Sequence, residues 1–185
     1  RFMLNIDPSL PRELVSCLPI RLAVQNKSTT FCKLLVDAYP ESLRIESSDG
    51  MLPIHEACLN GNRDDTVDTI QYVLELDPEL INAEDSDGYL PIHLAAMHGN
   101  TKSFELLLKY DPDAASKEVN DGNQQLPLHL ACSYTNPNLS SIQVLYDAYP
   151  EAILARDRDG RTPLDRARSA GNQPTKDFLQ TQLVY

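Results

Sequence analysis

The sequence predicts an all-α solenoid, a row of stacked helix-turn-helix units, because three features recur in step along its 185 residues. The first is a short phrase, such as Leu-Pro-Ile-His-Leu-Ala, whose prolines are 34, 38, 36 and 36 residues apart. The second is an Asp-Gly pair just upstream of the phrase, and the third is a later proline preceded by Asp or Tyr. Features that keep phase over four intervals indicate one structural unit copied along the chain. The phrase prolines are Pro19, Pro53, Pro91, Pro127 and Pro163; the glycines of the Asp-Gly pairs are Gly50, Gly88, Gly122 and Gly160; the later prolines are Pro40, Pro78, Pro112 and Pro150.

The phrase proline is expected to open the first, inner helix of each unit, since a proline in the first turn loses no hydrogen bond. One position of this helix is always alanine, which lets a neighbouring helix approach closely, and a corner glycine follows in three units. The alanines are Ala23, Ala57, Ala95, Ala131 and Ala167, and the corner glycines are Gly61, Gly99 and Gly171.

The second, outer helix is predicted from apolar residues at helical spacing, and the later proline is expected to stop it. These residues are Cys32, Leu34, Leu35, Val36, Ile70, Tyr72, Val73, Leu74, Phe104, Leu106, Leu107, Leu108, Ile142, Val144, Leu145 and Tyr146. One helix pair alone leaves much of this apolar surface open, whereas a stack of pairs buries it between neighbours.

At these residues the chain resembles the ankyrin repeat family. The Asp-Gly turns, the Leu/Thr-Pro phrase, the corner glycines and the Leu-rich outer helix carry the resemblance, which spans almost the whole chain. Tyr-Pro-Glu at 39–41 and 149–151 indicates a variant longer than the usual unit of about 33 residues. Leu replaces the usual Thr before four phrase prolines, so the family's hydroxyl-to-His bond is not expected there. Thr162 keeps the hydroxyl, but its His has become Asp165.

We predict a single domain over residues 1–185. Residues 1–13 would end a preceding partial repeat, which indicates a fragment of a longer protein. Repeats would follow at 14–46, 47–84, 85–118 and 119–156, with a C-terminal capping repeat at 157–185. Extra residues at 62–66 and 123–125 are expected to lie at a corner and at a finger tip, the short Asp-Gly turn that precedes each inner helix.

The formal net charge of −11 argues against a nucleic-acid surface, because phosphates repel such a field. No run of about 18 apolar residues suggests a membrane span. Cys32, Cys58 and Cys132 fall at apolar core positions, which favours a reducing intracellular compartment, cytoplasmic or nuclear. A monomer is expected.

Three histidines, His55, His93 and His129, recur at one position of the phrase. Neighbouring repeats would hold them about 8–10 Å apart, too far to share one zinc ion. We therefore expect buried imidazoles bonded to turn backbone, with no metal and no cofactor. The chain also lacks a phosphate loop and a nucleophile elbow, so we expect no enzyme within these residues.

The resemblance implies that a partner protein or peptide lies on the concave face, across the finger tips and the flank of the inner helices. The candidate partner-binding residues are Met51, Leu59, Asp87, Tyr89, Met97, His98, Gln124, Tyr134, Arg158 and Arg161. Met51, Leu59, Tyr89, Met97 and Tyr134 would form an apolar strip of the kind that dominates interfaces, or would fill gaps on their own helices. Replacing Tyr89, Met97 and Tyr134 by alanine is expected to leave the melting temperature nearly unchanged.

A rim of Asp49, Glu84, Asp85 and Asp87 would favour a basic or amphipathic peptide. The alternative function is a regulatory or substrate-recruiting domain of a larger enzyme whose catalytic part lies outside this sequence. A third hypothesis, an enzyme that uses the histidine row, would require activity or bound metal in the chain itself.

Overall fold

Regular secondary structure in the computed structural model is helical throughout the described residues, which are Val24 and residues 29–59, 64–98, 100–133 and 138–184. Nine α-helices lie in these ranges, and none of the described residues forms a β-strand. They are α1 (Thr29–Ala38), α2 (Pro53–Leu59), α3 (Asp64–Leu76), α4 (Pro91–His98), α5 (Thr101–Tyr110), α6 (Pro127–Cys132), α7 (Leu139–Ala148), α8 (Pro163–Ser169) and α9 (Gln173–Gln182).

The helices stack in chain order. The inner helices α2, α4, α6 and α8 each contact the next inner helix, and the outer helices α1, α3, α5, α7 and α9 each contact the next outer helix. Each inner helix also packs on the outer helix that follows it. The predicted all-α solenoid is confirmed. The predicted repeat boundaries stay a prediction, and the partial repeat at 1–13 and the corners at Gly61 and Gly99 lie outside the described residues.

The inner helices begin at the phrase prolines, as expected from the sequence. Their alanines are completely or almost completely buried, and so are Cys58, Ala96 and Cys132, which follow them. The exposed fractions are 0% for Ala57, Ala95 and Ala167 and 2% for Ala131. Side chains of this size let two helix backbones approach closely, so the alanine position sets the contact between neighbouring repeats.

Most of the predicted outer-helix positions are buried or half-buried, including Phe104 and Leu107 with no exposed surface. Leu34 is the exception, because 62% of its surface is exposed. The equivalent Leu106 lies on α5, which packs between α3 and α7, whereas among the described outer helices α1 contacts only α3. Among the described residues, Leu34 therefore has an outer-helix neighbour on one side only.

The later prolines do more than stop the outer helices. Each helix ends two residues earlier, and the proline is the first residue of a 3₁₀ helix: Pro40–Arg44, Pro78–Asn82, Pro112–Ser116 and Pro150–Leu154. A proline suits this position because its missing N–H has no partner in the first turn. Each 3₁₀ helix buries two consecutive residues, for example Leu80 and Ile81. None of these short helices was predicted from the sequence.

The extra residues at 62–66 were expected to enlarge a corner. Instead, Asp64 is the first residue of α3, and this helix has 13 residues where α5 has 10. Thr66 is buried within it. The described part of the insertion thus lengthens an outer helix at its N-terminal end, where each added residue gains a backbone hydrogen bond, and residues 62 and 63 lie outside the described residues.

Polar contacts also cross the repeat boundaries. The Arg44 guanidinium donates to both carboxylate oxygens of Asp77 at 2.6 and 2.8 Å, and to Glu79 at 2.6 Å. The hydroxyls of Thr101 and Ser141 join α5 to α7 at 2.9 Å. Exposed ion pairs contribute little to stability, so burial remains the main force that holds the stack together.

We expect Leu107→Ala to lower the free energy of unfolding by about 2–5 kcal/mol, because it removes a fully buried side chain and leaves a cavity. Leu154→Ala is the matched control, since Leu154 is 68% exposed and should change stability by less than about 0.5 kcal/mol. Urea unfolding followed by circular dichroism measures both. Similar losses for the two variants would contradict the assignment of the core.

Candidate functional site

The Asp-Gly turns form a row of short fingers, numbered by the repeat that each opens: finger 2 (residues 47–51), finger 3 (85–89), finger 4 (119–125) and finger 5 (157–161). An acceptor side chain closes three of them from within. In finger 3 the Asp85 carboxylate accepts hydrogen bonds from the N–H groups of Asp87 at 3.0 Å and Tyr89 at 2.9 Å. Ser47 and Asp157 have the same role in fingers 2 and 5.

Sequence reasoning missed this closing residue and assigned Asp85 to an acidic rim that faces the partner. One oxygen of the Asp85 carboxylate is instead engaged within its own finger. The signal that was overlooked is Ser or Asp two residues before the Asp of three of the four Asp-Gly pairs. Such side chains accept from backbone N–H groups two residues on, which is a known turn arrangement.

Finger glycines occupy the left-handed region, with φ values of 65° at Gly50 and 78° at Gly88. Finger 4 is the longer one, and Gln124 at its tip has φ 55°, the only positive φ of a non-glycine residue within the described ranges. Backbone strain of this kind at an exposed tip is typical of functional positions. The expectation that the extra residues at 123–125 enlarge a finger tip is confirmed.

Hydrogen bonds tie each finger to the one before it. The Ser86 hydroxyl donates to the Asp49 carbonyl at 2.6 Å. The Asn120 N–H donates to the Gly88 carbonyl at 3.0 Å, and the Arg158 N–H donates to the Asn123 carbonyl at 2.9 Å. The fingers also touch closely, because a Cβ on Gly88 would lie 2.6 Å from the Asn120 carbonyl carbon. The finger tips therefore form one continuous, fixed row.

The phrase histidines link these fingers to the core, and the prediction that they bond to turn backbone is confirmed. In each, Nδ1 accepts the N–H of the leucine before the phrase proline, so Nε2 carries the proton and donates to a carbonyl near the next finger. For His55 and His93 these Nε2 distances are 2.9 Å to Ala83 and 2.8 Å to Lys117. The Nε2 atom of His129 lies 3.2 Å from both the Ala155 and the Arg161 carbonyl oxygens.

Both ring nitrogens of each phrase histidine are thus engaged by backbone. Burial lowers the pKa of all three imidazoles below the ordinary value near 6.5, although nearby carbonyls and carboxylates partly oppose it. Within the described residues, no group of three or more His, Cys, Asp or Glu side chains is arranged to hold a metal ion.

In the fifth repeat, Thr162 and Asp165 replace this arrangement with a reciprocal pair. The Thr162 N–H donates to the Asp165 carboxylate at 3.1 Å, and the Asp165 N–H donates to the Thr162 hydroxyl at 3.3 Å. Hydrogen bonds from the Thr162 backbone and side chain lower the pKa of Asp165. The pair closes the first turn of α8 in the way a capping box does.

Several basic side chains of this repeat are bound to the repeat itself. Arg166 pairs with the buried carboxylate of Asp157. Burial acts to raise the pKa of Asp157, but the Arg161 N–H and the Arg166 guanidinium outweigh it and hold that pKa below its usual value. Arg158 and Arg161 have exposed side chains on finger 5.

The candidate partner-binding residues divide into two classes. Asp87, His98, Gln124, Arg158 and Arg161 are exposed, whereas Met51, Leu59, Tyr89 and Met97 are half-buried. Tyr134 lies outside the described residues.

The apolar strip is shared between surface and core. Leu59, Tyr89 and Met97 pack against the hydrophobic core, and the Tyr89 ring meets His93 edge-on at 6.3 Å between centroids. The most exposed large apolar side chains in the described ranges lie elsewhere, among them Leu34 and Leu154. Alanine at Tyr89 or Met97 would therefore affect packing as well as any surface contact, which revises the expectation of an unchanged melting temperature.

Two of the candidate residues lie together in an open pocket of about 380 Å³ between fingers 3 and 4. Its lining consists of Ser86, Asp87, Tyr89, Asn120 and Asp121, and we call it the finger pocket. Asp87 and Tyr89 were proposed from the sequence. Ser86, Asn120 and Asp121 were not, although their phase relative to the Asp-Gly pairs was a usable signal.

Comparisons with known proteins agree with this architecture. Residues 20–119 match a family model described as "Ankyrin repeats (3 copies)", and residues 114–167 match one described as "Ankyrin repeats (many copies)". No curated protein matches the chain. In the part of the chain that the structure covers, no helix combines the length and apolar character needed to cross a bilayer.

We expect Gly88→Ala to destabilise the chain more than Gly160→Ala does. Both glycines have positive φ, 78° and 74°, and the strain of alanine there costs about 1–2 kcal/mol. Only at Gly88 does the added Cβ meet the next finger, whereas nothing lies within 4 Å at Gly160. That clash should add roughly 1–3 kcal/mol, measured by urea unfolding. Equal losses would show that finger contacts do not contribute to stability.

The free energy of unfolding should fall as the pH drops below about 6.5, because the three buried histidines take up protons in the unfolded chain before they do so in the folded one. Their contribution is complete above that pH and is lost as the pH falls toward their lowered pKa values. Three protons correspond to a slope of at most about 4 kcal/mol per pH unit. Denaturant midpoints between pH 7.5 and 5 measure it.

His98→Gln is the control for this pH dependence, since His98 is exposed and the slope should persist in the variant. Constant stability over the range would contradict the neutral, buried state of the phrase histidines. The carboxylates of Asp157 and Asp165 act in a different window, because the stability that their lowered pKa values contribute is lost only as the pH falls below about 4.

Proposed function

The chain belongs to the ankyrin repeat family, and from that premise we propose that its finger row and inner-helix flank bind a partner protein or peptide without catalysing a reaction. Ankyrin repeats are in general protein–protein interaction modules. The observation that carries the proposal is the row of hydrogen bonds from finger to finger, made by Ser86, Asn120 and Arg158. It holds exposed side chains at fixed positions along several repeats.

A fixed row favours binding because little conformational freedom is lost when a partner docks. The phrase histidines contribute to this rigidity, since each connects the base of a finger to a buried helix. Exposed residues at the tips, among them Asp87, Gln124 and Arg161, would then meet the partner directly. Half-buried Met51, Leu59 and Met97 would offer apolar contact on a rigid support.

The charges on this surface favour a basic or amphipathic segment. Asp49 and Asp87 are exposed on fingers 2 and 3, and Glu84 is exposed just before finger 3, whereas Arg158 and Arg161 are exposed at finger 5. A peptide with basic residues at one end and acidic residues at the other would match this distribution in register. Charge pairing of this kind raises the association rate more than the affinity, and it weakens with salt.

A reducing compartment, cytoplasm or nucleus, is part of the proposal. In the described ranges Cys32, Cys58 and Cys132 are buried thiols outside any disulfide. Burial raises the pKa of Cys32 to about 11 and raises that of the other two further still, so the thiolates that react are scarce. We also propose that the chain acts as a monomer.

Site-specific photo-crosslinking tests the binding surface. A photoreactive side chain in place of Gln124 or His98 should crosslink to the partner in a native lysate. The adducts from both positions should have the same mass, because the partner is the same protein. The same group in place of Asp68 or Glu105, exposed on the outer helices α3 and α5, should not. These positions are exposed, so folding should be preserved, and melting curves check that it is.

Adducts from the outer-helix positions alone would move the binding surface to the opposite side of the stack. Raising the salt concentration from 50 to 500 mM should lower the yield of finger adducts. A yield independent of salt would remove the electrostatic part of the proposal and leave only apolar contact.

A further inference from the structure

Building on the proposed function, we infer that the finger pocket binds the guanidinium group of one arginine side chain of the partner. The pocket lies between two fingers that the stack brings side by side. Finger 3 supplies Ser86, Asp87 and Tyr89, and finger 4 supplies Asn120 and Asp121. A volume of about 380 Å³ is ample for one long side chain.

The polar groups that line this pocket differ in what they still offer. The Ser86 hydroxyl already donates to the Asp49 carbonyl, and the Asn120 amide donates to the Glu84 carboxylate at 2.9 Å. The Ser86 hydroxyl and one N–H of the Asn120 amide are therefore engaged within the protein. The charge of the pocket comes from acceptors, the carboxylates of Asp87 and Asp121.

These two carboxylates keep acceptor capacity. Asp87 is exposed, and its carboxylate makes no hydrogen bond or ion pair with any other described residue. Asp121 accepts from the backbone N–H of Asn123 at 2.7 Å and from its side-chain amide at 2.6 Å, one bond to each oxygen, so each oxygen keeps a lone pair. No lysine or arginine is among the described residues that line the pocket. A cation with several N–H groups is the complementary ligand.

The next pair of fingers shows how a guanidinium fits the row. Ser86, Asn120 and Arg158 occupy the same position in fingers 3, 4 and 5, and each reaches back to the preceding finger. At finger 5 the Arg158 guanidinium lies 3.5 Å from the Gly122 carbonyl oxygen of finger 4. At finger 4 the side chain is the shorter Asn120, which is bound to Glu84. The partner's arginine would supply between fingers 3 and 4 what Arg158 supplies one step further along.

Arginine fits better than lysine for two reasons. Its planar fork donates to two acceptors at once, which suits two carboxylates on opposite fingers. Its flat, weakly hydrated surface also packs on aromatic rings, and Tyr89 lines the pocket. A lysine ammonium would pair with the charge of the carboxylates, but it could not donate to both in a planar fork or pack flat on the Tyr89 ring.

The test is a titration of the isotope-labelled chain with acetyl-Gly-Arg-Gly-amide, followed by the backbone amide signals. The amides of Asp87, Tyr89, Asn120 and Asp121 should shift together, with a dissociation constant on the order of millimolar for so small a ligand. The same peptide with citrulline, the neutral isostere of arginine, should cause no shift. The lysine peptide should bind several-fold more weakly.

Asp87→Asn and Asp121→Asn should each weaken binding of the arginine peptide by about tenfold, because each removes a charge-assisted hydrogen bond. The Asp121→Asn variant keeps an oxygen that accepts the Asn123 N–H and loses only the bond from the Asn123 side-chain amide, and a melting curve checks that it folds as before. Asp68→Asn is the matched control, since it makes the same charge change at an exposed position of α3 and should leave binding unchanged.

Three outcomes would overturn the inference: no shift at the pocket amides, equal shifts with citrulline, or equal weakening by Asp68→Asn. Equal binding of the lysine peptide would overturn the choice of arginine. The failure of the proposed function is separate, because it is read from crosslinks at Gln124 and His98. Crosslinks that persist, unchanged in yield, in the Asp87→Asn variant would keep the binding surface and reject the arginine pocket.

Discussion

The close approach of neighbouring inner helices is the constraint on which the rest of the structure depends. Each inner helix carries a buried alanine, and Ala57, Ala95 and Ala131 have at most 2% of their surface exposed. Backbones that approach this closely bring the following turns side by side as well. The fingers can then hydrogen-bond to one another. The result is one surface that spans several repeats, although a single repeat would not be stable alone.

The phrase histidines carry this constraint from the core to the surface. Each imidazole is buried in an inner helix and hydrogen-bonds to two backbone segments. One is the start of its own helix, and the other is the segment that leads to the next finger. Because both ring nitrogens are used, the ring fixes the relative position of these segments instead of offering a nitrogen to a ligand. The same chemistry that makes histidine a frequent catalytic residue here makes it a structural cross-link.

The finger row shows how binding and packing share side chains. Tyr89 lines the finger pocket and also contacts His93 and the core, and Met97 is half-buried on the flank of its helix. The purely exposed residues, such as Asp87 and Gln124, are held by backbone that the closing carboxylates and the neighbouring fingers fix in place. The backbone hydrogen bonds of the fingers therefore supply the rigidity, and the exposed side chains supply the chemical variety.

The sequence by itself determined the helix pairs, their order and the buried positions of the alanines and histidines, because these follow from periodicity and from local rules for proline and glycine. It also contained the later prolines, at which the 3₁₀ helices begin, and the closing residue Asp85, but neither role was predicted from it. Only the tertiary structure decided that Leu34 is exposed, that Tyr89 is half core, and that Asp87 and Asp121 face one pocket. The reason is physical: those properties depend on contacts between residues about one repeat apart, and the stack alone sets their distance.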